Sequence, residues 1–194
     1  MAAQGESRRE TSTLRATAHP VRLQMLSLLT GAEMSAAEIA RELDFTHANA
    51  SYHLRVLAEA GVVVEAGEER IRGGVAKRYR HPWDAGVLDR GRVAPDDAQA
   101  YVRVMADELV RRYPDRRGGE RSLLADADLW VPEETWASAR ALLEQASRMV
   151  HDAAGRPRAA GTVRISLTVG AFELEDHGTK DADAGTSTKR KGRR

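Results

Sequence analysis

The stretch SAAEIARELDFTHANASYHLRVLAEAGVV, residues 35–63, decides the fold. Ser35 is followed three residues later by Glu38. At that spacing a serine hydroxyl and a glutamate carboxylate each accept from the other's backbone N–H, which marks a helix start. Ile39 and Leu43 follow one turn apart, as the buried stripe of a short helix requires. Asp44-Phe45 leaves room only for a tight connection. Thr46 offers a second N-cap. Beyond it Ala50, Leu54 and Leu57 recur at four- and three-residue steps until Gly61, a natural stop. Two helices joined this closely form a helix-turn-helix.

Working outward, VRLQMLSLLT (residues 21–30) places Val21, Met25, Leu28 and Leu29 on one face, with Leu26 beside them. His19-Pro20 separates it from a helix expected from about Glu10 to Ala18, because a residue before proline avoids the helical region. Residues 1–8 read as a disordered arm. After Gly61, Val62 to Glu65 is short and β-branched, a strand signal. Glu68 to Ala76, with Gly73-Gly74, reads as a turn, and Lys77 to His81 as a returning strand. Residues 82–94 read as a connector.

In the C-terminal half, Pro95-Asp96-Asp97 opens a helix with acids at its positive end. Its seam is Ala98, Val102, Met105 and Leu109, a narrow apolar line suited to another helix. Leu123 to Val131 is expected to be a strand. Pro132 to Ala154 is expected to be a long helix with Trp136, Ala139, Leu143, Ala146 and Val150 on one face. In TVRISLTVGA (residues 162–171), Val163, Ile165, Leu167 and Val169 alternate with Arg164, Ser166 and Thr168, the clearest period-two pattern in the chain. The expectation is a small sheet from residues 123–131 and 162–172, covered by the long helix. Trp130 and Trp136 then belong to core. The seam is expected to serve as a dimerisation surface. From Glu175 the chain turns polar and ends in KRKGRR, a solvated basic tail.

The composition excludes several classes. With no cysteine among 194 residues, disulfides, thiolate metal sites and catalytic thiols are ruled out. No run of about 18 apolar residues suggests a membrane span, and no apolar signal-peptide core precedes residue 20, so a cytoplasmic protein is expected. Arginine dominates the bases: the lysines are Lys77, Lys180, Lys189 and Lys191, which together with frequent alanine suggests a GC-rich genome. Asp126, Asp128, Glu133 and Glu134 form an acidic cluster without a nucleophile–base pair or phosphate loop, so no enzyme is expected. No cofactor is implied.

Charge is segregated. Residues 1–92 carry 13 basic and 12 acidic side chains, residues 93–176 carry 11 and 15, and residues 177–194 carry 6 and 2. The near-neutral first half argues against binding by bulk charge. Within it, residues 70–81 hold Arg70, Arg72, Lys77, Arg78 and Arg80 with no acid. The second helix of a helix-turn-helix fits the major groove of DNA. Here that helix, about 47–60, shows His47, Asn49, Ser51, Tyr52 and Arg55, all able to hydrogen-bond, and no acid before Glu59. Asn suits adenine and Arg suits guanine. A merely solvated face would usually mix Glu and Lys. His47 fits either a base edge or a cap, and His53 either a structural or a DNA-reading place. Arg70, Arg72, Lys77 and Arg78 flank the hairpin turn and suit phosphate. Tyr79 reads as a core anchor.

Residues 14–81 resemble the ArsR-like winged helix-turn-helix regulators of bacteria. The carrying segments are LRATAHPVRLQMLSLL, SAAEIARELDFTHANASYHLRVLAEAGVV and ERIRGGVAKRYR. The resemblance covers roughly a third of the chain. It implies a homodimer that binds a partly palindromic double-stranded operator and usually represses, with the Ser51 and His53 positions in the DNA-reading helix and a wing over about 62–81. The chain departs from metal-sensing members of that family: it lacks cysteine, and His151-Asp152 has no matching second pair. No metal is therefore expected. The extension from Pro95 to Leu174 suits dimerisation, a small-molecule effector pocket, or both. The expected fold class is α+β, mainly α. The expected organisation is an arm at 1–8, a winged helix-turn-helix at 9–92, a dimerisation or sensing region at 93–175, and a disordered basic tail at 176–194.

Overall fold

Each helix of the helix-turn-helix starts where a side chain stands ready to take its first free N–H. The computed structural model describes residues 13–71, 74–83, 95–118 and 122–175. Residues 13–17 are helical (α1). Helix α2 (Pro20–Gly31) begins at His19, whose Nδ1 accepts from the Val21 N–H at 3.2 Å, with proline in the first turn. Helix α3 (Ala36–Leu43) carries the expected capping box. Ser35 Oγ accepts from the Glu38 N–H, and Glu38 Oε2 accepts from the Ser35 N–H at 2.8 Å. Helix α4 (His47–Glu59) starts at Thr46, whose hydroxyl accepts from the Asn49 N–H at 3.2 Å. Asp44, at φ 56°, turns the chain out of α3. Gly61, at φ 72°, turns it out of α4, a conformation in which a side chain would be strained.

The three helices close on one core. Met25 and Leu29 from α2, Ile39 from α3, and Ala50, Leu54 and Leu57 from α4 are buried together with Val62. Tyr79 packs against this cluster from the sheet, as expected of an anchor. The sheet has three antiparallel strands in the order β1-β3-β2, from β1 (Met34–Ser35), β2 (Val64–Ile71) and β3 (Gly74–Arg80). The hairpin is longer than its composition suggests. Residues 68–71 and 74–76, expected to be turn, are paired strand: Glu68 faces Lys77 and Glu69 faces Ala76 across the ladder. Cross-strand charge pairs let a polar segment hold strand geometry, so polarity alone misplaces the turn. Strand β1 has two residues and no pattern that could announce it. It exists because β3 offers a free edge, pairing Met34 with Tyr79 and Ser35 with Arg78.

Helix α5 (Pro95–Arg112) starts at the expected proline, ends in a 3-10 turn (Tyr113–Asp115), and lies against α2. Its attachment is polar. Arg15 Nε meets Asp97 Oδ1 at 3.2 Å, and Gln24 Nε2 donates to Glu108 Oε1 at 2.9 Å. Glu108 is buried and also takes hydrogen bonds from Arg111 and Arg112. Burial pushes its carboxyl upward, but the bonds from Arg111 and Gln24 and the two arginine charges outweigh that and hold it low.

Helix α6 (Glu133–Asp152) confirms the long helix and corrects its surroundings. Residues 123–131 and 162–172 are not strands, and none of their backbone groups is paired as in a sheet. The period-two pattern says which side chains would share a face. It does not provide the neighbouring backbone that a strand needs. No residue of α6 is buried, and Trp130, expected in core, is 87% exposed. Trp136 is half-buried, and its Nε1 donates to Glu173 Oε1 at 2.7 Å. The arm at 1–8, the connector residues 84–94 and the tail at 176–194 lie outside the described residues.

Because Ile39 sits at the meeting point of three helices, Ile39→Ala should lower unfolding free energy by about 2–5 kcal/mol in urea titrations. A surface change such as Glu59→Ala should stay within about 0.5 kcal/mol.

Candidate nucleic-acid interface

Burying Ala50, Leu54 and Leu57 leaves the opposite side of α4 facing out. His47, Tyr52 and Arg55 are exposed there, with Asn49 and Ser51 half-buried beside them. The Arg55 guanidinium carbon lies 6.0 Å from the centre of the Tyr52 ring, at the outer range of a cation–π contact. The first turn contains no acid. Ser51, Tyr52 and Arg55 share the outward side of α4, while His47 and Asn49, two residues apart, flank it on opposite edges.

His53 points the other way. It is buried, its ring centre 4.9 Å from that of His19 and 5.1 Å from that of Tyr52. Its Nδ1 is buried without a hydrogen-bond partner. His53 thus takes the structural of its two readings. It joins the middle of α4 to the His19 cap of α2. Arg22, beside both rings, donates to the Ala16 carbonyl and ties α1 to the same cluster. Burial first, and then neighbouring positive charge, holds both imidazoles below the ordinary histidine range. The pairing of His19 with His53 could not be read from the sequence, because 34 residues separate them.

The wing's charges are partly spent within the wing. Lys77 Nζ meets Glu65 Oε1 at 2.7 Å, and that hydrogen bond and charge raise the ammonium pKa. Arg78 is half-buried between Glu69 and Glu38, 3.1 Å from the latter, and also donates to the Glu33 carbonyl. It latches β3 onto the capping box of α3. Arg70 is exposed near the hairpin tip and makes no ion pair among the described residues. Arg72 lies outside the described residues. A phosphate would find Arg70 ready and Lys77 and Arg78 already engaged.

On α5, the face carrying Asp97 and Glu108 meets the rest of the domain. The line Ala98, Val102, Met105 and Leu109 is displaced by one residue, about 100° around the helix. Val102 is 57% and Leu109 38% exposed, with Ala98 and Met105 half-buried. The seam is therefore not absorbed into the core of its own chain. A cleft of about 320 Å³ lies between α3 and the turn after α6, lined by Glu33, Glu38, Arg41, Glu42 and Arg156 among others. Arg158 closes one side on Glu42 at 2.8 Å.

Residues 17–66 match a family model described as a helix-turn-helix domain, a domain typical of ArsR-family winged helix-turn-helix regulators. The match runs from the end of α1 into β2, so it spans the helices that carry the polar face. The chain thus contains a helix-turn-helix DNA-binding domain, followed by a hairpin in the position of a wing. Comparison with curated proteins gives no match.

The buried histidines predict a pH dependence. Their folded-state pKa values lie below the unfolded value of about 6.5, so the unfolded chain takes up protons first on acidification. Their contribution to stability is complete above about pH 6.5 and falls as pH drops from there toward the folded values. Urea midpoints should decline between pH 7 and pH 5, and His53→Gln should flatten that decline. Glu38 and Glu108, held low, add their losses further down, as pH falls from the ordinary carboxylate value of about 4.5 toward their folded values.

Proposed function

We propose that this chain is a sequence-specific transcriptional regulator that binds double-stranded DNA as a homodimer and acts as a repressor. The observation that carries the reading is the acid-free, hydrogen-bonding face of α4, held out by a helix-turn-helix core with a hairpin beside it. Helix α4 enters the major groove. His47, Asn49, Ser51, Tyr52 and Arg55 meet bases and adjoining phosphates, and the wing contacts the backbone, chiefly through Arg70 and Arg72, with Lys77 and Arg78 mainly bracing the hairpin. A protein-docking use of α4 would call for an acidic or apolar face, and α4 has neither. Repression rather than activation follows from the ArsR-like resemblance.

A homodimer suits both halves. One recognition helix reads only a few base pairs, and two of them, a helical turn apart, read a palindrome. On α5, exposed Val102 and Leu109, with half-buried Met105 between them, provide an apolar strip for the second copy.

An operator selected from random DNA tests the reading. Asn49→Ala and Arg55→Ala should each weaken operator binding by about 1–3 kcal/mol while sparing random DNA. Arg70→Ala should weaken both equally and flatten the salt dependence. Equal losses on operator and random DNA for the α4 variants would make their contacts backbone contacts.

The dimer has its own test in light scattering. Met105→Asp/Leu109→Asp should weaken dimerisation and operator binding together while leaving weak non-specific binding. An undisturbed dimer with normal operator affinity would remove the seam from the subunit contact.

A further inference from the structure

Two segments of the C-terminal half have the pattern of strands and none of the pairing. Residues 123–131 place Leu123, Ala125, Ala127, Leu129 and Val131 on one face, with Leu124, Asp126, Asp128 and Trp130 on the other. Residues 162–170 place Val163, Ile165, Leu167 and Val169 on one face, with Arg164 on the other. No backbone–backbone hydrogen bond involves residues 123–131 or 163–175 among the described residues. Yet the second segment is held in place. Trp136 at the start of α6 is bonded to Glu173, and the preceding turn is anchored by Arg158 on Glu42.

We propose that residues 123–131 of one copy pair with residues 162–170 of a second copy, so that the dimer is closed by two intersubunit sheets. The inference rests on the homodimer reading and extends its contact from α5 to these segments.

Three observations select a second copy as the occupant. First, the segments are complementary to each other. With their apolar faces on the same side, the two carboxylates of one stand against the arginine of the other, and opposite charges across a strand pair are favourable. The Arg164 side chain is 82% exposed and, among the described residues, pairs with Asp115 at 4.0 Å. Pairing residues 123–131 with their own copy would instead set acid against acid. Second, two-fold symmetry uses each segment once in each direction, so two copies leave neither segment over. Third, the area suffices. A stable contact needs about 800 Å² per partner. Leu123, 91% exposed, and Leu129, Val163 and Ile165 lie open along the two apolar faces and supply that area. The apolar face so formed also gives α6, which has no fully buried residue in one chain, a surface to rest on.

The test is complementation by mixing. One variant, Ala127→Asp/Leu129→Asp, spoils the first segment. Another, Ile165→Asp/Leu167→Asp, spoils the second. Each alone should raise the dimer dissociation constant at least tenfold in sedimentation, with the far-ultraviolet helix signal retained. Mixed, they should prefer a heterodimer, because one of its two sheets is intact. Undiminished dimers of both variants would overturn the proposal. So would weakened variants with no heterodimer preference, which would mean pairing within the chain or with a different partner. If either variant fails to fold, the wild-type chain decides. Isotope-filtered NMR of mixed labelled and unlabelled protein should show cross-strand contacts between labels, and contacts confined to one label would overturn the idea. The function reading fails separately, if the wild-type dimer shows these contacts and binds no operator.

Discussion

The capping box of Ser35 and Glu38, closed by Arg78, is the junction on which the DNA-binding half depends. Ser35 starts α3 and at the same time pairs with Arg78 as the last residue of β1. Glu38 accepts from the Ser35 backbone and meets the Arg78 guanidinium at 3.1 Å. Burial alone would push that carboxylate up, but the two Ser35 hydrogen bonds and the arginine charge hold it ionised. One residue pair thereby sets where α3 begins and where the wing stands relative to it. Since α3 and α4 share a core through Ile39, Leu54 and Leu57, the hairpin and α4 are held in one frame.

The same economy appears behind α4. Its front is polar and accessible, while its back holds His53 against the His19 cap of α2. An imidazole with a buried, unpartnered nitrogen is tolerated there because it is neutral, and a charge at that place would be poorly solvated. Helices α4 and α2 therefore share a group whose protonation neither can accommodate well.

The C-terminal half follows different physics. Helix α5 is attached through Asp97 and Glu108, buried acids matched to arginines and a glutamine, rather than through its apolar line. Polar attachment fixes one orientation of the helix, and that orientation leaves Val102 and Leu109 outside. Helix α6 and the segments around it have ample apolar content and, among the described residues, leave most of it exposed. A helix of this kind is marginal by itself in water, since most helical stability comes from packing.

The sequence alone determined the helix-turn-helix, because its signals are local. A cap and its N–H are three residues apart, an apolar stripe repeats within one helix, and a stop needs one residue with positive φ, as at Gly61. The outward residues of α4 were legible for the same reason: once Ala50, Leu54 and Leu57 face inward, helical geometry places His47, Tyr52 and Arg55 outside. Tertiary structure alone decided whatever depends on a distant partner. It paired His19 with His53, spent Lys77 and Arg78 on nearby acids, extended a polar hairpin through cross-strand charge pairs, and turned the Asp97–Glu108 face of α5 inward. It also left the strand-patterned segments at 123–131 and 162–172 unpaired, since alternation within a segment states its facing, and only a second backbone at hydrogen-bonding distance makes it a strand.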